Sequence, residues 1–354
     1  AALWGPDLCQ TRDTPGQNLA LLVRRGPDGR AVQRTLFASG GWAFSAPDPP
    51  AVEWAVQPAM LQHPGPRRVL CLGGDPAAMI REILKHPGVA GVEFVEPDPG
   101  LLALWEGACG GPGAAAIPAD PRVRVVVADP ARFLRAGGQP YDLVLMQAGD
   151  PVNAGLNRFF TLEFFRAVRK RLAPGGVFSF AVPSSPEAIG PAEARVLRTH
   201  AATLRAVFPE VLAFPGDQVR FFASPARGAL SDDPERLSRR IGERGLDLLY
   251  VRDTYLLDQL APLRLAYLKA VLDDPAPGPP RLNRDFDPAC YFNSLLAWTL
   301  QAGEAAKPWL ARLSPRGEGG LLLVTGSLTL FLIFCPGPKA TGQRRAVTQS
   351  VATA

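Results

Sequence analysis

The sequence has little of what several common chemistries require. Five cysteines stand at 9, 71, 109, 290 and 335, an odd number, widely spaced and without a CxxC pair. That pattern argues against a disulfide framework and a zinc site and fits a reducing compartment. The three histidines, His63, His86 and His200, stand at no metal-ligand spacing and leave histidine-based catalysis little to work with. Lysine is scarce too, supplying five of the 38 basic residues. The net charge of +5 is mild, arginine dominates, and no basic block is interleaved with aromatics, so nucleic acid is not an expected partner. The chain opens on Ala1 with no signal-peptide pattern and reads as a fragment.

Long apolar runs are also missing, with one exception. Residues 319–335 read GGLLLVTGSLTLFLIFC, 17 residues without a charge, followed by Pro336. About 17 residues is the lower limit for crossing hydrocarbon, and with no polar face the run reads as a transmembrane helix. Lys307, Arg312 and Arg316 precede it while Lys339, Arg344 and Arg345 follow, so charge bias does not orient it.

What is present is an alternation of strands and helices over residues 67–224. Arg68-Val-Leu-Cys-Leu72 reads as a buried strand, and 89–95, 123–127, Tyr141 to Met146 and 177–182 read as further strands. Helical patterns at 77–86 and 160–172 lie between them, with Pro87 and Pro174-Gly-Gly176 as stops. This spacing predicts an α/β, Rossmann-like parallel sheet of the methyltransferase type with helices on both faces. The expected organisation is an N-terminal β-strand domain at 1–62, a nucleoside-binding domain at 63–225 and a helical extension at 226–318. The transmembrane segment at 319–335 and a tail at 336–354 complete it.

In such a sheet ligands sit at the carboxyl ends of the strands. The first strand runs into Gly73-Gly74-Asp75-Pro76, where glycines let the backbone approach a ligand. The second ends in Glu96-Pro-Asp98, an acid about 20 residues after the glycines and placed to accept from ribose hydroxyls. The third ends in Ala128-Asp129, whose carboxylate can accept from the exocyclic amine of adenine. Together they suggest an adenosyl pocket.

These motifs form an ordered series that resembles the spermidine synthase (polyamine aminopropyltransferase) family, in particular its membrane-fused bacterial members. The series comprises Asp13-Thr-Pro-Gly-Gln17, residues 73–82 with Lys85-His-Pro87, Val95-Glu-Pro-Asp98, Asp129, Tyr141-Asp142, Gly149-Asp-Pro151, Leu156-Asn-Arg158 and the Pro174-Gly-Gly176 turn. The likeness covers roughly residues 10–224, and 225–335 more weakly. It implies transfer of an aminopropyl group from decarboxylated S-adenosylmethionine to a di- or polyamine, releasing methylthioadenosine, with no metal. A carboxylate would take the proton from the attacking ammonium. The resemblance puts Gln17 and Glu96 at the ribose, Asp129 at adenine, Gly73, Gly74 and Asp75 in the nucleoside loop, and Asp150 on the second acid of a D-x-x-D-P segment.

The first acid of that segment, the family's general base, is Gln147 here, and an amide is no proton acceptor at neutral pH. Pro76 stands where the family's glycine loop has its acid, with Asp75 one place early. The family's Tyr-His-Glu reads Ala51-Val-Glu53, and its hairpin Asp-Gly and Gln are Ser39-Gly40 and Ala43. Asp150 is the candidate stand-in base, and Glu53 and Asp48 are candidate amine ligands. Three functions stay open: an aminopropyltransferase, a pseudoenzyme that binds a nucleoside without transfer, and a methyltransferase using intact S-adenosylmethionine. The last lacks a visible partner for the methionine carboxylate. The expected setting is a bacterial inner membrane with the domain facing the cytoplasm, a homodimer being one compatible assembly. Trp42, Trp54 and Trp105 read as packing residues, and Cys71 as an inert buried thiol.

Overall fold

The computed structural model describes residues 5–107, 116–151, 153–275, 280–291 and 293. The apolar run at 319–335 and the tail at 336–354 lie outside the described residues, as do Cys109 and Cys335. Among the described residues no helix is long and apolar enough to cross a membrane.

The chain begins with a four-stranded antiparallel meander of β1 (Leu8–Asp13), β2 (Asn18–Arg25), β3 (Ala31–Ala38) and β4 (Gly41–Ala46). In β2, Leu19, Leu21 and Val23 are buried, and Leu36 of β3 joins them. Helix α1 (Pro49–Gln62) follows, with Asp48 as its N-cap accepting from the Ala51 N–H. Although α1 falls within the span expected to form the N-terminal β-strand domain, its Val56, Ala59, Met60 and Leu61 pack into one face of the second sheet. Pro58 inside it disguises the helix in the sequence.

Then come β5 (Arg68–Leu72), α2 (Pro76–Leu84), β6 (Gly91–Glu96), α3 (Pro99–Glu106), β7 (Val123–Val127), α4 (Pro130–Arg135) and β8 (Tyr141–Met146). The chain continues through α5 (Ala154–Asn157), α6 (Leu162–Arg171), β9 (Leu172–Pro183), α7 (Pro191–Arg205), β10 (Glu210–Phe214) and β11 (Gln218–Ser224). Seven strands form one sheet in the order β10-β11-β9-β8-β5-β6-β7. Strands β7, β6, β5, β8 and β9 run parallel, as expected. The sheet is not parallel throughout, however: β11 pairs antiparallel with both β9 and β10. The short 215–217 connection makes a hairpin, which can only pair antiparallel.

Both faces of the sheet are covered. One face packs Phe165, Phe178, Phe180 and Phe221 against α6 and α7, with ring centroids 5.5–5.6 Å apart between successive neighbours through Phe180. Truncating a ring in such a cluster costs about 3–5 kcal/mol. The other face receives α1 and α2 together with α8 (Pro234–Glu243) and α9 (Asp253–Gln259). Leu268 and Leu272 of α10 (Pro262–Asp273) pack on the first face. The helices after residue 226 thus share the core of this sheet. Beyond them, residues 281–291 lie against the α5–α6 region, where the buried Asn283 donates to the Phe160 carbonyl at 3.0 Å and its amide donates to Thr203 Oγ1.

Two expectations about single residues need correction. Cys9 is disulfide-bonded, whereas Cys71 and Cys290 are buried free thiols. Wide spacing along the sequence says nothing about proximity in the fold, so an odd, scattered set does not exclude a bridge. Trp105 is fully buried, but Trp42 is 52% exposed on the edge strand β4, where its indole donates to Ser45 Oγ.

Candidate active site

The ends of the parallel strands set the site. Leu72 leads directly into Gly73 and Gly74, both at positive φ, +74° and +92°. A Cβ on Gly73 would lie 2.7 Å from the Gln147 carbonyl oxygen, and one on Gly74 2.6 Å from Met79 Sδ and 2.9 Å from Gln147 Cβ. The two glycines therefore serve the packing of the β8 loop against the turn as well as any ligand. Backbone bonds link the turn to its neighbours, with Gly73 N–H donating to the Val95 carbonyl and Gln147 N–H to the Leu72 carbonyl.

Asp75 is buried and caps α2. Its Oδ1 accepts from the Ala77 and Ala78 N–H groups at 3.0 and 3.2 Å and from Trp105 Nε1 at 3.2 Å. Burial pushes its pKa up. Arg34, from β3, lies over the Trp105 ring at 4.4 Å, tying the N-terminal meander to this corner.

Glu96 ends β6 and is 5% exposed. Its Oε1 accepts from the Asp98 N–H at 3.0 Å, while Oε2 has no partner among the described residues. Burial, with the neighbouring Asp98 charge adding to it, pushes its pKa up to about 7. Asp98 itself caps α3 by accepting from Gly100 N–H at 2.8 Å. Its Oδ2 accepts from Thr14 Oγ1 at 2.7 Å and from Gln17 Nε2 at 2.9 Å. Burial opposes ionisation of Asp98, but those bonds outweigh it and hold its pKa below the usual carboxylate range. The fold thus brings Gln17 to the end of β6 through Asp98, a connecting residue to which the sequence reading gave no role. An acid followed by proline and a helix is a capping signal that could have found it.

The next strand end lies alongside, with Ala128 N–H donating to the Glu96 carbonyl at 3.2 Å. Asp129 caps α4 by accepting from Arg132 N–H at 2.8 Å through Oδ1, and its Oδ2 lies 2.7 Å from Arg158 Nη2. Arg158 is 29 positions away in sequence and was not foreseen as a site residue.

On the β8 side the picture differs. Gln147 stands at the end of the strand with its Cβ against the glycine turn. Asp150 is exposed at the rim with no hydrogen bond among the described residues, yet enough protein surrounds its carboxylate for burial to raise its pKa. The acids considered as amine ligands are engaged elsewhere. Glu53 is 2% exposed and accepts from the N–H groups of Leu249, Tyr250 and Val251 at 2.8–3.0 Å, with Lys85 Nζ at 3.5 Å. It anchors the segment before α9. Asp48 caps α1. Among the described residues no cluster of His, Cys, Asp and Glu could hold a metal ion. A separate groove of about 180 Å³, lined by Ser184, Ser185, Glu187, Pro215, Leu263 and Tyr267 among others, follows the end of β9 and contains none of the residues foreseen for the site.

Residues 53–211 match the spermine/spermidine synthase domain. A polyamine aminopropyltransferase of Synechococcus sp. (strain JA-2-3B'a(2-13)) is 34% identical over 241 residues, covering 63% of this chain and 72% of that protein. Polyamine aminopropyltransferase 2 of Pseudomonas aeruginosa is 29% identical over 263 residues, covering 67% and 72%. Among solved structures, a spermidine synthase in complex with the transition-state analogue AdoDATO superposes with a TM-score of 0.58 at 22% identity, over 75% of this chain and 88% of that one. At that identity the superposition shows a shared fold.

Proposed function

Because this chain belongs to the spermine/spermidine synthase family, we propose that it binds decarboxylated S-adenosylmethionine across the ends of β5, β6 and β7 and transfers the aminopropyl group to a di- or polyamine. The observation that carries this reading is the cluster of Glu96, Asp98 and Asp129 at the adjacent ends of β6 and β7, joined by Gln17 of the β1–β2 turn through Asp98, with one Glu96 oxygen left for a ligand.

In this proposal Glu96 Oε2 accepts from the ribose hydroxyls and Asp129 from the adenine amine. The bound nucleoside presents the carbon beside its sulfonium to a neutral amine. The amine lone pair forms the new C–N bond as the C–S bond breaks, and the sulfur leaves with that electron pair as methylthioadenosine. The attack requires that the amine, which arrives as an ammonium, first give up one proton. Gln147 cannot take it, which leaves Asp150 as the acceptor. Its lack of a hydrogen-bond partner and its raised pKa suit a base better than those of an ordinary exposed aspartate.

A second reading has its own observation: Gln147 stands at the base position, and Glu53, Asp48 and Asp75 are engaged by backbone N–H groups. A domain so altered would hold the nucleoside and transfer nothing, acting as a sensor or assembly module. One assay separates the two. The full chain in detergent micelles is incubated with decarboxylated S-adenosylmethionine and a panel of di- and polyamines, and methylthioadenosine is followed by mass spectrometry. Amine-dependent release well above the protein-free rate supports transfer. No release from wild type or Gln147→Asp, with methylthioadenosine still bound in calorimetry, supports the second reading. Neither release nor binding overturns both.

The proposal includes a membrane anchor formed by residues 319–335. Its basis is the 17-residue uncharged run. The expected result is full-length protein that stays in the membrane fraction after alkaline carbonate extraction and a 319–335 deletion that leaves it. Extraction of both would contradict the anchor.

A further inference from the structure

We infer that Arg158 reads the purine of the bound nucleoside by donating to the ring nitrogen next to the amine that Asp129 accepts. The inference rests on the adenosyl-binding reading above and adds a specificity-determining residue to it.

The end of β7 offers a base few backbone donors. Asp129 is followed by Pro130, which has no N–H. The Arg132 N–H is taken by Asp129 Oδ1 at 2.8 Å. The side-chain donor beside Asp129 Oδ2 is Arg158, with Nη2 2.7 Å away. Its plane is held on two sides: Nε donates to the Gly155 carbonyl at 3.1 Å, and the guanidinium lies over the Phe159 ring at 4.6 Å. The side chain is 47% exposed, and Nη1 has no hydrogen bond among the described residues. A ligand can therefore reach its outward N–H groups while the Asp129 contact stays in place.

The loop that carries Arg158 is pinned from behind by the 283–291 segment. Asn157 Oδ1 accepts from Tyr291 N–H at 3.2 Å, the Phe160 carbonyl accepts from Asn283 Nδ2 at 3.0 Å, and Thr161 Oγ1 donates to Asp285 Oδ1 at 2.6 Å. The guanidinium is thus presented from a fixed position, so little ordering is needed on binding.

A carboxylate acceptor next to a guanidinium donor is complementary to adenine, whose exocyclic amine donates and whose adjacent ring nitrogens, N1 and N7, accept. Asp129 alone would recognise only the amine. With Arg158 the site also requires an accepting ring nitrogen.

The test replaces one ring nitrogen at a time. Binding of methylthioadenosine and of its 1-deaza and 7-deaza analogues, which keep the amine, is measured by calorimetry on the full chain, wild type and Arg158→Ala. The expected result is that one deaza analogue binds wild type about tenfold more weakly than methylthioadenosine, the effect of one charge-assisted hydrogen bond. Arg158→Ala brings the two ligands within about twofold of each other with an unchanged thermal midpoint, and the analogue affected shows which edge is read. Equal binding of all three ligands by wild type, or the same preference in Arg158→Ala, overturns the inference and leaves the nucleoside reading intact. Failure of wild type to bind methylthioadenosine at all overturns both.

Discussion

At the ends of β6 and β7, Glu96 and Asp129 each use one oxygen to hold the local backbone and present the other outward, to open space at Glu96 and to Arg158 at Asp129. Around α1 and the glycine turn, Glu53, Asp48 and Asp75 turn toward backbone N–H groups of their own chain. Both regions are acidic in sequence, but in the second Glu53 has both oxygens committed to N–H groups of its own chain, while Asp48 and Asp75 have one each. An acid at a motif position is a ligand group only while its lone pairs remain uncommitted. A buried carboxylate that accepts three N–H bonds, as Glu53 does, is an architectural part.

Substitutions distinguish the two regions. The largest effect is expected from Gln147→Asp, which restores a proton acceptor at the end of β8. Amine-dependent methylthioadenosine release should rise by about 10² or more, the range of a positioned general base. An unchanged rate would mean that the amine does not sit there. Next comes Glu53→Ala, which leaves the N–H groups of Leu249, Tyr250 and Val251 unsatisfied. Its cost should be about 3 kcal/mol in chemical denaturation, with methylthioadenosine affinity within twofold of wild type. A large loss of affinity at unchanged stability would place Glu53 in the site after all.

Glu96→Ala should do the reverse, weakening methylthioadenosine binding about 10- to 100-fold by removing a charged acceptor. The smallest effect is that of pH. With the Glu96 pKa raised to about 7, methylthioadenosine affinity should increase severalfold from pH 6 to pH 8 as the carboxylate ionises. In the free protein the same group acts oppositely. The folded state holds this proton more tightly than the unfolded chain, so Glu96 favours folding below the ordinary glutamate pKa, and that contribution falls as pH rises through 7. Glu96→Gln should remove both trends, read as affinity by calorimetry and as thermal midpoint in parallel.

The sequence made the sheet legible where strands are short apolar runs between breakers. The strands at 68–72 and 141–146 end where the composition changes, because buried parallel strands are apolar on both faces, whereas the edge strand at 123–127 is largely exposed and stands out by its valines alone. The antiparallel β10–β11 edge was not legible, since pairing depends on partners supplied by β9 through a separate crossover. Helix α1 was hidden by two prolines at its start, by Pro58 within it, and by burial over much of its circumference. Glu96 and Asp129 could be found because strand ends are where a doubly wound sheet puts its ligands. Arg158 could not, because its meeting with Asp129 depends on how the α5–α6 loop is pinned by residues more than 100 positions later. Nor could the state of Glu53: its motif position is local, but its three partners lie about 200 residues away.

The most direct test of the contrast between the two regions is calorimetric binding of methylthioadenosine to the full chain at pH 8, for wild type, Glu96→Ala and Glu53→Ala side by side. Wild type and Glu53→Ala are expected to bind with affinities within twofold, and Glu96→Ala to lose 10-fold or more. Binding that survives Glu96→Ala undiminished, or that disappears in a folded Glu53→Ala, would overturn the assignment of Glu96 to the ligand and Glu53 to the architecture.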